Sequence, residues 1–114
     1  MHELSIAISI IDQITDESEK HGGGAVAVVH LKIGVLSGVD CNALRFAYEL
    51  ASEGTELEGS QLHIESIPLL VYCPGCGTIH TPDSLQIACP QCITPPQEIL
   101  HGKELEVSAL EIVT

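Results

Sequence analysis

Four cysteines, Cys73, Cys76, Cys89 and Cys92, are spaced C-x2-C-x12-C-x2-C and constrain this chain more than any other feature. Each pair bends the backbone into a tight knuckle that presents two thiolates on one side. Two facing knuckles close a tetrahedral site of the kind that holds structural Zn2+. The first knuckle, Cys73-Pro74-Gly75-Cys76-Gly77, ends on a glycine that can take positive φ and turn backbone N–H groups toward the sulfurs. The second, Cys89-Pro90-Gln91-Cys92-Ile93, lacks that glycine, so the sequence defines its turn less.

Two readings compete with zinc. A pair of CxxC disulfides suits an exported protein, but the opening Met1-His2-Glu3-Leu4 carries an acid and no basic leader region. No apolar run approaches the length of a membrane span, so no membrane insertion is expected. The expected compartment is the cytoplasm, where thiols stay reduced and in this spacing find metal. Iron in a rubredoxin-like site shares the all-thiolate tetrahedron. A closed four-cysteine site has no open coordination position, so it builds structure and does not itself catalyse.

The chain has 114 residues, enough for one modest core plus a small satellite. Trp is absent and there is a single Phe, so the core must be built from Ile, Leu, Val and Ala. The 16 acids against 4 bases give a net charge of −12, which four thiolates around one Zn2+ would make more negative. Nucleic-acid binding by a zinc ribbon rests on Lys and Arg neutralising phosphates, and this surface repels them. It suits cations or a basic protein patch instead.

Residues 2–21 read as a helix. Leu4, Ile8 and Ile11, with Ala7, Ile14 and Thr15, fall at near-helical spacing before a stop at Gly22-Gly23-Gly24. A rival strand reading rests on the alternation of Leu4, Ile6, Ile8 and Ile10. Ala25 to Leu36 is a strand, with Val29, Leu31, Ile33 and Val35 on one face and Val26, Val28 and His30 on the other. Asp40 is a plausible N-cap for a second helix whose core positions are Leu44, Ala47, Leu50 and Ala51, ending at Gly54. Gln61 to Val71 is a strand interrupted at Pro68, and Glu104 to Val113 is a last strand whose alternation slips at Ser108-Ala109. The expected fold is α+β. A small two-layer domain of a three-stranded sheet with two helices, residues 1–71 plus 103–114, carries an inserted zinc-ribbon-like module at 72–102.

His2 is the second residue of note. A histidine at a frayed end is ordinarily just solvated. At position 2, however, it can offer the terminal amine of Met1, its own deprotonated amide nitrogen and its imidazole Nδ1 as adjoining chelate rings in one plane. Nitrogen-rich planar sites of this kind suit Ni2+ or Cu2+.

The opening Met1-His2-Glu3-Leu4-Ser5, the strand Leu31-Lys32-Ile33-Gly34 and the cysteine pattern together resemble the HypA family of hydrogenase-maturation nickel chaperones. The resemblance spans nearly the whole chain. It implies a nickel-binding α/β domain plus a zinc domain and no enzymatic activity. It implies delivery of transferable Ni2+ to the large subunit of nickel–iron hydrogenase, with a HypB-type GTPase as partner, and in some members service to urease. It places nickel on His2, with Met1 and Glu3 adjoining, and structural Zn2+ on Cys73, Cys76, Cys89 and Cys92. Asp40 falls where some members have an acid proposed near nickel, beside its simpler reading as a helix cap. A monomer or weak dimer is expected. Two other classes compete: an acidic zinc-ribbon adaptor without metal delivery, and a dithiol redox protein. His21 fits the dipole at a helix C-terminus, His30 and His63 read as surface or packed strand residues, His80 and His101 as neighbours of the zinc module able to lend a fourth nickel ligand if the two domains approach, and Cys41 as a small buried side chain. No Ser-His-Asp set, phosphate loop or paired catalytic carboxylates stands out.

Overall fold

The structure is a computed structural model that describes residues 2–82 and 98–113. Its elements are α1 (His2–Lys20), β1 (Ala25–Gly34), α2 (Cys41–Ser52), β2 (Gln61–Ile67), β3 (Leu70–Cys73), β4 (Thr78–His80), β5 (Glu98–His101) and β6 (Leu105–Val113). They form two three-stranded sheets, one ordered β2-β1-β6 and the other β4-β3-β5. The expected α+β architecture is present, and the opening segment is a helix and not a strand. The chain packs as two compact units. One comprises Met1–Leu31, Val39–Glu65 and Val107–Thr114, the other Lys32–Gly38 and Ser66–Glu106.

In the first unit α1 packs against α2. The buried stripe of α1 is Ala7, Ile10, Ile11, Ile14 and Ser18, and that of α2 is Leu44, Ala47, Tyr48 and Ser52. Both follow the spacing of a helix with one buried face, i, i+3, i+4, i+7 in α1 and i, i+3, i+4, i+8 in α2. Val26, Val29 and Leu31 of β1 and Leu57 complete this interior. A fully buried side chain such as Ile14 or Leu44 stabilises by about 1.5–3 kcal/mol relative to exposure. Three expected core positions lie elsewhere. Leu4 and Ile8 are exposed, because the face of α1 that packs is centred on Ala7 and Ile14. Leu50 is also exposed; Tyr48, one turn on from Leu44, takes the buried place expected for it.

The second unit has a small interior of its own, built from Ile33, Leu69, Val71 and Cys73. β3 lies at the centre of its sheet. It pairs antiparallel with β4, with Val71 opposite His80 and Cys73 opposite Thr78, and antiparallel with β5. The expected strand from Gln61 to Val71 is two strands. Pro68 lacks an N–H to continue a ladder, and the chain resumes as β3 in the other sheet. Close by, Gly34 is buried against the backbone of Gly102, where a Cβ would come within 2.1 Å of its carbonyl group.

Candidate metal centres

α1 starts at His2, so the first candidate centre sits on the opening turn of a helix, where backbone N–H groups lack intrahelical partners. The His2 side chain is 61% exposed and reaches solvent, while the Glu3 carboxylate, 14% exposed, is tucked inward. His2 Nε2 lies 3.4 Å from Glu3 Oε2. The same Glu3 oxygen accepts a hydrogen bond of 3.3 Å from the backbone N–H of Asp40, 37 residues away. That N–H, followed by Glu3's own N–H, holds the Glu3 carboxyl below its ordinary range, and His2 pulls in the same direction. A carboxylate that is ionised at neutral pH therefore adjoins the imidazole.

Asp40 has extended backbone angles, and its Oδ1 accepts from the N–H groups of Asn42 at 2.9 Å and Ala43 at 3.1 Å. It is the N-cap of α2, as its sequence position suggested. The structure thus brings His2, Glu3 and Asp40 together, with Asp40 acting toward Glu3 through its main chain and toward α2 through its side chain. Met1 lies outside the described residues.

The first cysteine knuckle is the turn between β3 and β4. Cys73 ends β3 and is buried; Cys76 is exposed. The Gly77 N–H donates to the Cys73 carbonyl over 2.8 Å, and Gly77 has a φ of +72°, which a residue with a Cβ adopts only at a cost. Cys76 Sγ lies 3.0 Å from Thr78 Oγ1, a hydroxyl able to donate to a thiolate. A hairpin turn with the two sulfur residues at its ends, tightened by glycine and flanked by a hydroxyl donor, fits half of a tetrahedral thiolate site. Cys89, Cys92 and the second knuckle lie outside the described residues. Among the described residues, no three His, Cys, Asp or Glu side chains are already grouped around one point for a metal ion.

The other histidines divide clearly. His21 Nε2 lies 3.7 Å from Glu17 at the end of α1. His101 Nδ1 lies 2.9 Å from Glu104 Oε2; this contact, with the Gly102 N–H, holds the Glu104 carboxyl below its ordinary range. The buried Nε2 of His80 has no hydrogen-bond partner among the described residues. His30 Nε2 lies 2.6 Å from Glu111 Oε2, and its ring meets that of His63 edge to face, with centroids 5.2 Å apart. The sequence marked both as strand residues, but their meeting depends on which strands pair. Cys41, the first residue of α2, is partly exposed and not the buried side chain expected. A recess of about 820 Å³ is lined by Arg45, Tyr48, Glu53, Glu58 and Ser60 among others, and among the described residues its lining includes none of either candidate centre.

The family model described as "Hydrogenase/urease nickel incorporation, metallochaperone, hypA" matches residues 1–112. The chain belongs to the HypA family. It is 47% identical over 112 residues to the hydrogenase maturation factor HypA of Roseiflexus sp. (strain RS-1), covering 97% of this chain and 91% of that protein. It is 45% identical over 112 residues to the factor of the same name from Chloroflexus aurantiacus, covering 97% and 98%. The fold is that of the solution structure of the Ni metallochaperone HypA from Helicobacter pylori, with a TM-score of 0.72 at 24% identity over 99% of this chain and 98% of that one. A second HypA solution structure matches with a TM-score of 0.75 over 99% and 97% of the two chains. No helix among the described residues is long and apolar enough to cross a membrane.

Proposed function

We propose that this chain carries Ni2+ on its amino-terminal residues and hands it on for the maturation of nickel–iron hydrogenase or urease. The observation that carries this reading is the convergence of His2, Glu3 and Asp40 at the start of α1. His2 supplies the imidazole and its amide nitrogen, and Met1, where it is the terminal residue, supplies the amine. Together they form the fused planar chelate that suits Ni2+. Glu3 gives a negative charge beside the imidazole, and Asp40 positions Glu3 through its backbone N–H. The same placement makes Glu3 and Asp40 additional candidate ligands.

A site at an exposed chain end exchanges its ion readily, because ligands from a partner can replace the terminal ones one at a time. The imidazole and amine must both be deprotonated to bind, so acidification releases the cargo. The receiving partner is the large subunit of nickel–iron hydrogenase, with a HypB-type GTPase, in the cytoplasm. The acidic surface excludes nucleic acid from this list.

Zinc is assigned to Cys73, Cys76, Cys89 and Cys92, where it supplies a closed cross-link and no reaction step. The functional division assigns nickel to residues 1–71 plus 103–114 and zinc to 72–102. His2→Ala should abolish tight nickel binding in zinc-loaded protein and leave one zinc per chain. Nickel affinity unchanged by that substitution would refute the site and favour an acidic zinc-ribbon adaptor.

A further inference from the structure

A cluster of two histidines and one carboxylate lies on the sheet β2-β1-β6, contributed by all three strands, with its side chains paired to one another and not yet converged on a single point. His30 belongs to the central strand β1, His63 to β2 and Glu111 to β6. Along β1 the side chains of Val29 and Leu31 are buried, so His30 between them points to the opposite face. His63 and Glu111 meet it there: His30 Nε2 is 2.6 Å from Glu111 Oε2, and the His63 ring stands edge-on to the His30 ring at 5.2 Å. A recess of about 240 Å³ adjoins the two histidines, with Glu65 and Ser108 also in its lining.

We propose that His30, His63 and Glu111 form a second, weaker site for a first-row divalent cation, Ni2+ or Zn2+, distinct from both the amino terminus and the cysteines. Two imidazoles and one carboxylate are the donor set that these borderline ions accept. Two donors at about 2.1 Å from one ion stand roughly 3–3.4 Å apart. The His30–Glu111 contact therefore opens by under about 1 Å when the ion replaces the proton between them. His63 closes the set by turning its ring away from Gln61 Oε1, which is 3.3 Å from its Nε2. That contact is exposed, so breaking it costs little. The His30 main chain is held by β6, whose Ser108 Oγ donates to its carbonyl over 3.2 Å. Glu65, two residues from His63 and on the same strand face, offers a further oxygen. Because one donor must rotate and Glu111 is 60% exposed, the site binds its ion reversibly. That suits holding a cargo ion, not building a core.

The test uses full-length, untagged, zinc-loaded protein carrying His2→Ala, so that the terminal reading is removed from the outcome. Ni2+ is titrated by calorimetry, with the histidine ring resonances followed by NMR. The expected result is one nickel equivalent whose binding perturbs the His30 and His63 rings. Adding His63→Gln or Glu111→Gln should weaken that equivalent by at least about tenfold, since even outer-shell changes cost roughly 10–100-fold. Both substituted residues are exposed, and an unchanged circular dichroism spectrum confirms the fold. The proposal is overturned if the His2→Ala protein takes up no nickel, or if its uptake is indifferent to both added substitutions. Failure of the terminal site would show differently, as nickel affinity equal in wild-type and His2→Ala protein.

Discussion

Replacing Gly34 by alanine probes a close backbone approach in the second packing unit. An added Cβ would stand 2.1 Å from the carbonyl carbon and oxygen of Gly102 and 2.6 Å from the Lys103 nitrogen. Ordinary contacts of carbon lie near 3.5 Å, so the two segments must separate by roughly 1.4 Å. All three obstructing atoms are main chain, so no side chain can swing aside. Two backbone hydrogen bonds span this crossing, from Gly34 N–H to the Glu104 carbonyl at 2.8 Å and from Leu36 N–H to the Gly102 carbonyl at 2.6 Å. Separation carries both beyond bonding range, at a net cost of about 1 kcal/mol each. Gly102 is also packed on Leu69, and disturbing that interior adds a further cost of about 1 kcal/mol. The expected destabilisation is roughly 2–4 kcal/mol, a large share of the few kcal/mol that hold a small domain folded. Urea unfolding of zinc-loaded protein at fixed zinc measures it. Gly54→Ala is the control: its φ is +77° with nothing within 4 Å of the added atom, so it should cost only the left-handed penalty of about 1–2 kcal/mol. If Gly34→Ala costs no more than Gly54→Ala, the overlap argument is wrong.

Two further outcomes are expected. Asp40→Ala should lower stability by about 1 kcal/mol through loss of the α2 cap, while Asp40→Asn, which keeps the capping oxygen, should cost less than half of that in the same urea assay; a neutral Asp40→Ala would contradict the cap. Glu104 has its folded pKa lowered by His101 and the Gly102 N–H from an ordinary 4.5, so its contribution is present above that value and is lost as pH falls through the lower folded value. Glu104→Gln should therefore be less stable than wild type at pH 7, with the gap closing as pH falls below 4.5; a gap that stays constant with pH would exclude the carboxylate as its source.

Much of the fold could be read from local chemistry. The helix at residues 2–21, observed as His2–Lys20, was set by its periodicity and glycine stop. Asp40 was marked as a cap by its type and place, and Gly77 as a turn by following the second cysteine of its knuckle. What could not be read was the choice between overlapping apolar stripes. α1 carries Leu or Ile at 4, 6, 8, 10, 11 and 14, and only packing against α2 selects the stripe through Ile10 and Ile14 over the one through Leu4 and Ile8. Tyr48 prevailed over Leu50 for the same reason: burial follows position on the helix, not hydrophobicity alone. Pro68 signalled an interruption but not that the chain would join another sheet. The meeting of Glu3 with Asp40, and of His30 with His63 and Glu111, joins residues 33 to 81 positions apart and depends on tertiary pairing that no local pattern encodes.

Nickel titration of zinc-loaded protein beginning at Met1, against the same protein lengthened by two residues before Met1, tests the cargo role most directly. The extension blocks the amine and spares every side chain. The account predicts tight uptake at neutral pH in the first, loss of that tight phase in the second, and equal zinc in both. Identical nickel isotherms for the two would contradict it.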